Sequence, residues 1–126
     1  RMGQSSIIPD LVGGNLDAVI ATTVIQAARA GDRLALETLV EAGRYLGLAI
    51  GNLINILNPS LVIVGGGTSS AGDLLLEPIR EVALARTLPA LRNHVQIVLT
   101  PLGEDACPMG GAALVIEELF QIPSVQ

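Results

Sequence analysis

The sequence predicts an α/β fold with two parallel strands and four to five helices. Three observations carry that prediction. Leu61-Val62-Ile63-Val64 and residues 95–99 (VQIVL) are short apolar runs of strand length, rich in β-branched residues. Each is followed by a turn containing glycine. Segments with helical periodicity stand before, between and after them. Strand, helix and strand over residues 61–99 make one right-handed crossover, which requires the two strands to run parallel.

The elements follow in order. Residues 1–20 read as a loop-like lead, punctuated by Gly3, Ser5, Ser6, Pro9, Gly13, Gly14 and Asn15. Residues 22–30 (TTVIQAARA) read as a short helix, with Thr22 or Thr23 as its cap and Gly31 as its stop. Asp32 caps a long helix from Arg33 to Leu57. Glu37, Glu41 and Arg44 share a polar stripe there. Beyond Tyr45 the stripe vanishes, so LGLAIGNLINIL predicts a helix buried on most sides. Gly47 and Gly51 are four apart and lie on one face. Each costs up to ~1 kcal/mol inside a helix, which a close helix neighbour would offset. This face is expected to be core or subunit interface. Asn58-Pro59 ends the helix, because proline disfavours helical geometry in the residue before it.

Leu61–Val64 suits a strand buried on both faces. A helix follows from Gly72 to Leu88, with Pro78 either kinking it or starting a second piece. The last helix runs from Ala106 to Gln121. Two strands make a poor sheet, and an isolated pair is marginal in water. The remaining strands are therefore expected upstream in a larger domain, or from another copy of the chain. Self-association, as a homo-oligomer, is the corresponding expectation.

Composition excludes several function classes. The chain has 126 residues, half of them hydrophobic and only 15% charged, which excludes disorder. Tyr45 and Phe120 are the only aromatics, too few to stack a single-stranded nucleic acid. The net charge is −5, and all seven basic residues are arginine. Such a chain lacks the electrostatic footprint of a DNA grip, so any DNA contact is expected from a separate segment. One cysteine, Cys107, excludes an internal disulfide and a two-thiolate zinc site, and His94 is the only histidine. Gly, Asn, Pro and Arg break the apolar runs before the ~20 residues of a membrane span. No signal peptide is seen, so the expected location is cytoplasmic.

Two turns could carry chemistry. IVGGGTSSAGD, residues 63–73, leaves a strand at its carboxyl end and enters a helix, which is where open α/β sheets bind ligands. Its glycines let backbone approach a flat ligand, and Thr68, Ser69 and Ser70 add hydroxyl donors. The same residues equally suit a tight turn that binds nothing. The spacing is neither GxGxxG nor GxxxxGK[ST], and there is no lysine to reach a phosphate. PLGEDACPMGGAA, residues 101–113, occupies the same position after the second strand. If the strands are neighbours, both turns open on one rim. Glu104 and Asp105 read as helix caps rather than catalytic acids. Cys107 stands at a helix start, where thiol pKa values fall, but its sole histidine partner would be His94. His94 reads as a solvated loop residue, and Arg80, Arg86 and Arg92 as a solvated face.

With these motifs on the page, the chain resembles a known family. AARAGD, LETLVEAGRYLGLAIGNLINILNPSLVIVGGGTSSAGDLLLEPIRE, VQIVLTPLGEDA and GGAAL together resemble the C-terminal end of the ROK family of bacterial repressors and sugar kinases. The resemblance covers roughly residues 24–120, and LNPSLVIVGGGTSSAGDLLLEPIRE is its most specific block. It implies an actin-like, ribonuclease-H-like fold, with residues 1–126 forming the C-terminal part of a sugar-sensing or kinase-like domain. In the family's kinases the glycine turn resembles an adenosine motif. That assigns Gly65, Gly66, Gly67 and Thr68 to the adenine and ribose end of a nucleotide, with ATP as the cofactor of the full-length protein. The family's phosphate loop, catalytic Asp, sugar-binding residues and zinc motif lie upstream of residue 1, so no catalytic residue carries over. Cys107-Pro108-Met109 replaces the family's usual Gly-aliphatic-aliphatic run. The resemblance thus implies part of a sugar-responsive transcriptional regulator, with DNA bound through a separate winged helix. The alternatives are part of an ATP-dependent sugar kinase and a ligand-free dimerisation module.

Overall fold

The computed structural model describes residues 5–120. Along them run α1 (Ile8–Leu11), α2 (Ala21–Arg29), α3 (Arg33–Leu57), β1 (Leu61–Val64), α4 (Asp73–Arg86), β2 (Gln96–Leu99) and α5 (Ala106–Phe120). Short 3-10 turns lie at Leu16–Ala18, Gly67–Ala71 and Gly103–Asp105.

The lead is more ordered than its loop-like composition implies. Pro9 sits in the first turn of α1, where its missing N–H costs nothing. Asn15 caps the following 3-10 turn by accepting from the Asp17 N–H at 3.2 Å. Asp32 then ties the lead to the head of α3. Its Oδ1 accepts from the Ala35 N–H at 2.9 Å, and its Oδ2 from the Ile7 N–H at 2.6 Å. These donors hold the Asp32 carboxyl below the usual carboxylate range, the Ala35 N–H first among them.

The expected cap of α2 is corrected. The helix starts at Ala21 with Ile20 as cap, and Thr23 lies inside the first turn. From there its hydroxyl reaches back to the Ile20 N–H at 3.5 Å, the second half of a capping box. The long helix begins after Asp32 and ends at Leu57, as its residues predict. Asn58 follows with a left-handed φ of 45°, which asparagine tolerates, and Pro59 keeps it out of the right-handed helical region.

Helices α3 and α4 form the main packing seam. Gly43, Gly47 and Gly51 repeat every four residues along it. A Cβ on Gly47 would stand 2.7 Å from the Ile79 carbonyl oxygen, and one on Gly51 2.9 Å from that of Ala83. A Cβ on Gly43 would stand 2.7 Å from Cγ of Pro78. Pro78 therefore neither breaks α4 nor starts a new piece; α4 continues through it, and its buried ring faces the glycine. Ile50, Ile54, Leu75, Leu76, Ile79 and Ala83 fill the seam.

Two expectations of burial fail. The carboxyl half of α3 is covered on one side only: Leu46, Leu53, Ile56 and Leu57 are exposed. β1 is likewise covered on one face. It pairs in parallel with β2, Leu61 opposite Gln96 and Val64 opposite Leu99. Val62, Val64, Ile97 and Leu99 join the core, while Leu61 and Ile63 on the other face stay exposed. A strand with continuous apolar sequence needs cover on both faces, and the described residues supply one layer of helices.

Candidate functional site

The glycine turn is built by its own backbone. Gly66 has φ of 96° and Gly72 φ of 62°, values that favour glycine at both ends of the turn. Between them Ser69 and Ser70 fold their hydroxyls inward. Ser69 Oγ donates to the Gly66 carbonyl at 2.7 Å, and Ser70 Oγ to that of Gly67 at 2.9 Å. The two serines, expected as ligand donors, instead brace the turn. Gly65 and Thr68 are exposed, and Gly66 and Gly67 are half-buried. A Cβ on Gly66 would meet nothing within 4 Å, so open space lies on that side of the turn.

Arg29, which the sequence reading passed over, pins the turn from α2. Its Nη2 donates to the Ser70 carbonyl at 2.6 Å. Its signal was its place in the last turn of a helix that stops at Gly31.

The turn after β2 packs against the glycine turn, so both open on one rim, at the carboxyl ends of adjacent parallel strands. The rim offers backbone groups, the Thr68 hydroxyl and the head of α5, where free N–H groups favour anions. Asp105 lies in the second turn and is exposed. The side chains of Glu104 and Cys107 lie outside the described residues. Pro108 is the third residue of α5 and removes one N–H from its first turn. Exposed His94 stands at the opposite end of β2.

Of the three arginines expected on a solvated face, Arg86 and Arg92 are exposed and Arg80 is half-buried, and two of them also hold backbone carbonyls. Arg80 donates through Nε and Nη2 to the Ile97 carbonyl at 3.0 and 2.8 Å. Arg92 Nε donates to the Thr87 carbonyl at 2.9 Å. Among the described residues no group of three or more His, Cys, Asp or Glu could hold a metal ion. Nor is any helix among them long and apolar enough to cross a membrane.

Comparison with known proteins gives the architecture its context. The model of the ROK family matches residues 5–118. A glucokinase of Halalkalibacterium halodurans is 42% identical over 98 residues, covering 78% of this chain and 30% of its own length. A xylose repressor of Caldicellulosiruptor bescii is 34% identical over 109 residues, covering 86% of this chain and 27% of its own. The crystal structure of a ROK family glucokinase from Streptomyces griseus, in complex with glucose and AMPPNP, superposes with a TM-score of 0.76 at 33% identity. That match covers 86% of this chain and 35% of the other. The chain thus spans about a third of the length of the relatives it matches. Two parallel strands, the helices around them and these matches have one reading: the chain has the actin-like sugar-kinase fold and belongs to the ROK family.

Proposed function

We propose that this chain is the carboxyl-terminal part of the sugar-sensing domain of a ROK transcriptional regulator. The observation that carries this reading is Cys107-Pro108-Met109 at the head of α5, beside the rim that would receive a nucleotide. Pro108 withdraws a backbone donor there, and the run replaces the glycine-led loop that the resemblance to kinases leads one to expect. A sensor needs the sugar crevice of this fold without its phosphoryl chemistry. DNA is gripped by a separate segment, since an acidic chain without lysine repels a phosphate backbone. The protein works in the cytoplasm, where it meets both sugar and promoter.

The second reading, an ATP-dependent sugar kinase, is favoured by the 42% identity to a glucokinase. On it, Gly65, Gly66, Gly67 and Thr68 would line the adenine and ribose end of ATP, with the open side of Gly66 toward the base. Phosphoryl transfer also needs groups that position sugar and γ-phosphate, and these would come from the rest of the domain.

The experiment is an ADP-release assay on the full-length protein with ATP and a panel of hexoses, pentoses and amino sugars. The regulator reading predicts sugar binding by calorimetry with no sugar-dependent ADP. Turnover with any of these sugars establishes the kinase instead.

A further inference from the structure

Residues 29–32, between α2 and α3, grip two other parts of the chain at once. Arg29 Nη2 donates to the Ser70 carbonyl of the glycine turn at 2.6 Å, a charge-assisted bond. Asp32 Oδ2 accepts the Ile7 N–H of the lead, also at 2.6 Å. The backbone between the two grips is closed on itself. The Gly31 N–H donates to the Ala28 carbonyl at 3.0 Å, and the Asp32 N–H to that of Ala27 at 2.9 Å. With Gly31 at a φ of 87°, this is the doubly bonded helix stop of a Schellman motif. Ala27 and Ala28 are buried, so the motif is seated in the core. Arg29 and Asp32 therefore stand on one rigid block, and a shift at one grip is carried to the other.

Each gripped segment has the features of one that moves. Residues 5–12 form a strap over the block. Within it α1 buries no residue, and Ile8 alone packs part-buried against the core. A segment with so few buried contacts opens far more readily than the whole fold. Directly after the strap stand Gly13 and Gly14, both exposed, with φ of 58° and 82° and open space where a Cβ would lie. Two consecutive glycines in this region absorb a large backbone rotation at little cost, as a hinge requires. The glycine turn likewise lies between the left-handed Gly66 and Gly72, and Arg29 holds the backbone between them.

We propose that residues 29–32 are a two-ended clasp. While the strap is fastened on Asp32, Arg29 holds the glycine turn in its braced shape. Release of the strap about Gly13-Gly14 frees the turn. Arg29 is thus a positioning residue of the rim. Coupling of this kind is reciprocal: a molecule that orders the turn fastens the strap, and one that lifts the strap loosens the rim. The clasp is a property of the backbone, so it holds for a regulator and a kinase alike.

Hydrogen exchange on the full-length protein reads both ends, at the Ile7 amide and at the bonded Ser69 and Gly72 amides. Asp32→Asn keeps one oxygen to cap α3 and leaves Ile7 facing a donor. It should speed exchange at Ile7 and, across the block, at Ser69 and Gly72 by about 5-fold or more, the low end of allosteric coupling. Arg29→Met, at an exposed position, should speed both ends likewise, and Arg29→Lys, which still donates, should restore both. In an Arg29→Met background, Asp32→Asn should add nothing at Ser69 and Gly72. Variants that loosen only their own end overturn the proposal. A further rise in the double variant, or an equal rise at the Ile54 amide in the α3–α4 seam, overturns it too, because the effect is then general destabilisation. Should Asp32→Asn fail to fold, Arg29→Met decides by whether exchange at Ile7 rises.

Discussion

At the scale of residues, three positions show how local chemistry sets the fold, and each yields a prediction. Asp32 is both the cap of α3 and the anchor of the lead. Its carboxyl is held below the usual range, so its contribution is present above about pH 4 and is lost as pH falls through the lowered value. Asp32→Ala should lower the melting temperature at pH 7, and thermal melts should show the gap to the parent closing in acid. Gly47 decides between two opposed effects. Alanine gains about 1 kcal/mol of helix propensity over glycine. Its Cβ, however, would stand 2.7 Å from a backbone carbonyl that cannot swing aside. Overpacking should win, and urea denaturation of Gly47→Ala should show a net loss of roughly 1–3 kcal/mol. Gly66 presents the opposite case, with open space around it but a φ of 96°. Gly66→Ala should cost about 1–2 kcal/mol with no ligand present, through backbone strain alone. Lost nucleotide binding in a Gly66 variant therefore has to be read against its own stability.

At the scale of elements, periodicity and punctuation made most of the fold legible. Asp32 and Asn58-Pro59 mark both ends of α3, and the crossover gives β1 and β2 their parallel pairing. Pro78 was ambiguous because its place depends on Gly43, thirty-five residues earlier, and no local rule couples them. The site was half legible. Glycine spacing located the turn, but nothing in a serine says whether its hydroxyl faces a ligand or its own carbonyls. Arg29 and Arg80 were missed for the same reason: an arginine's partner is a carbonyl supplied by topology. The seam between α3 and α4 carries the stability of this part of the molecule. Ile54 is fully buried in it, so Ile54→Ala should cost about 2–5 kcal/mol in urea denaturation.

At the scale of the whole molecule, the expectation that apolar sequence means buried sequence met an unfinished core. The aliphatic runs of α3, β1 and α5 are all present, yet Ile56, Ile63 and Leu114 are exposed. Periodicity marks these residues as apolar but cannot display whether anything covers them. Residues 1–126 produced alone should self-associate through this surface, since apolar patches beyond ~300–600 Å² rarely stay open in water. Light scattering at micromolar concentration should show a dimer or larger species. Ile56→Glu should shift it toward monomer, whereas a change at Ile50, buried against α4, would damage the fold itself. A clean monomer at high concentration would mean that the segment closes its own core.

The central claim is that this fold senses a sugar on behalf of a promoter. The direct measurement is fluorescence anisotropy of the full-length protein on labelled DNA from its own upstream region, titrated with each sugar in turn. The account predicts specific binding that at least one sugar shifts by 5- to 150-fold, the usual range of allosteric coupling (about 1–3 kcal/mol). Affinity no tighter than for unrelated DNA, or unchanged by every sugar, would contradict it.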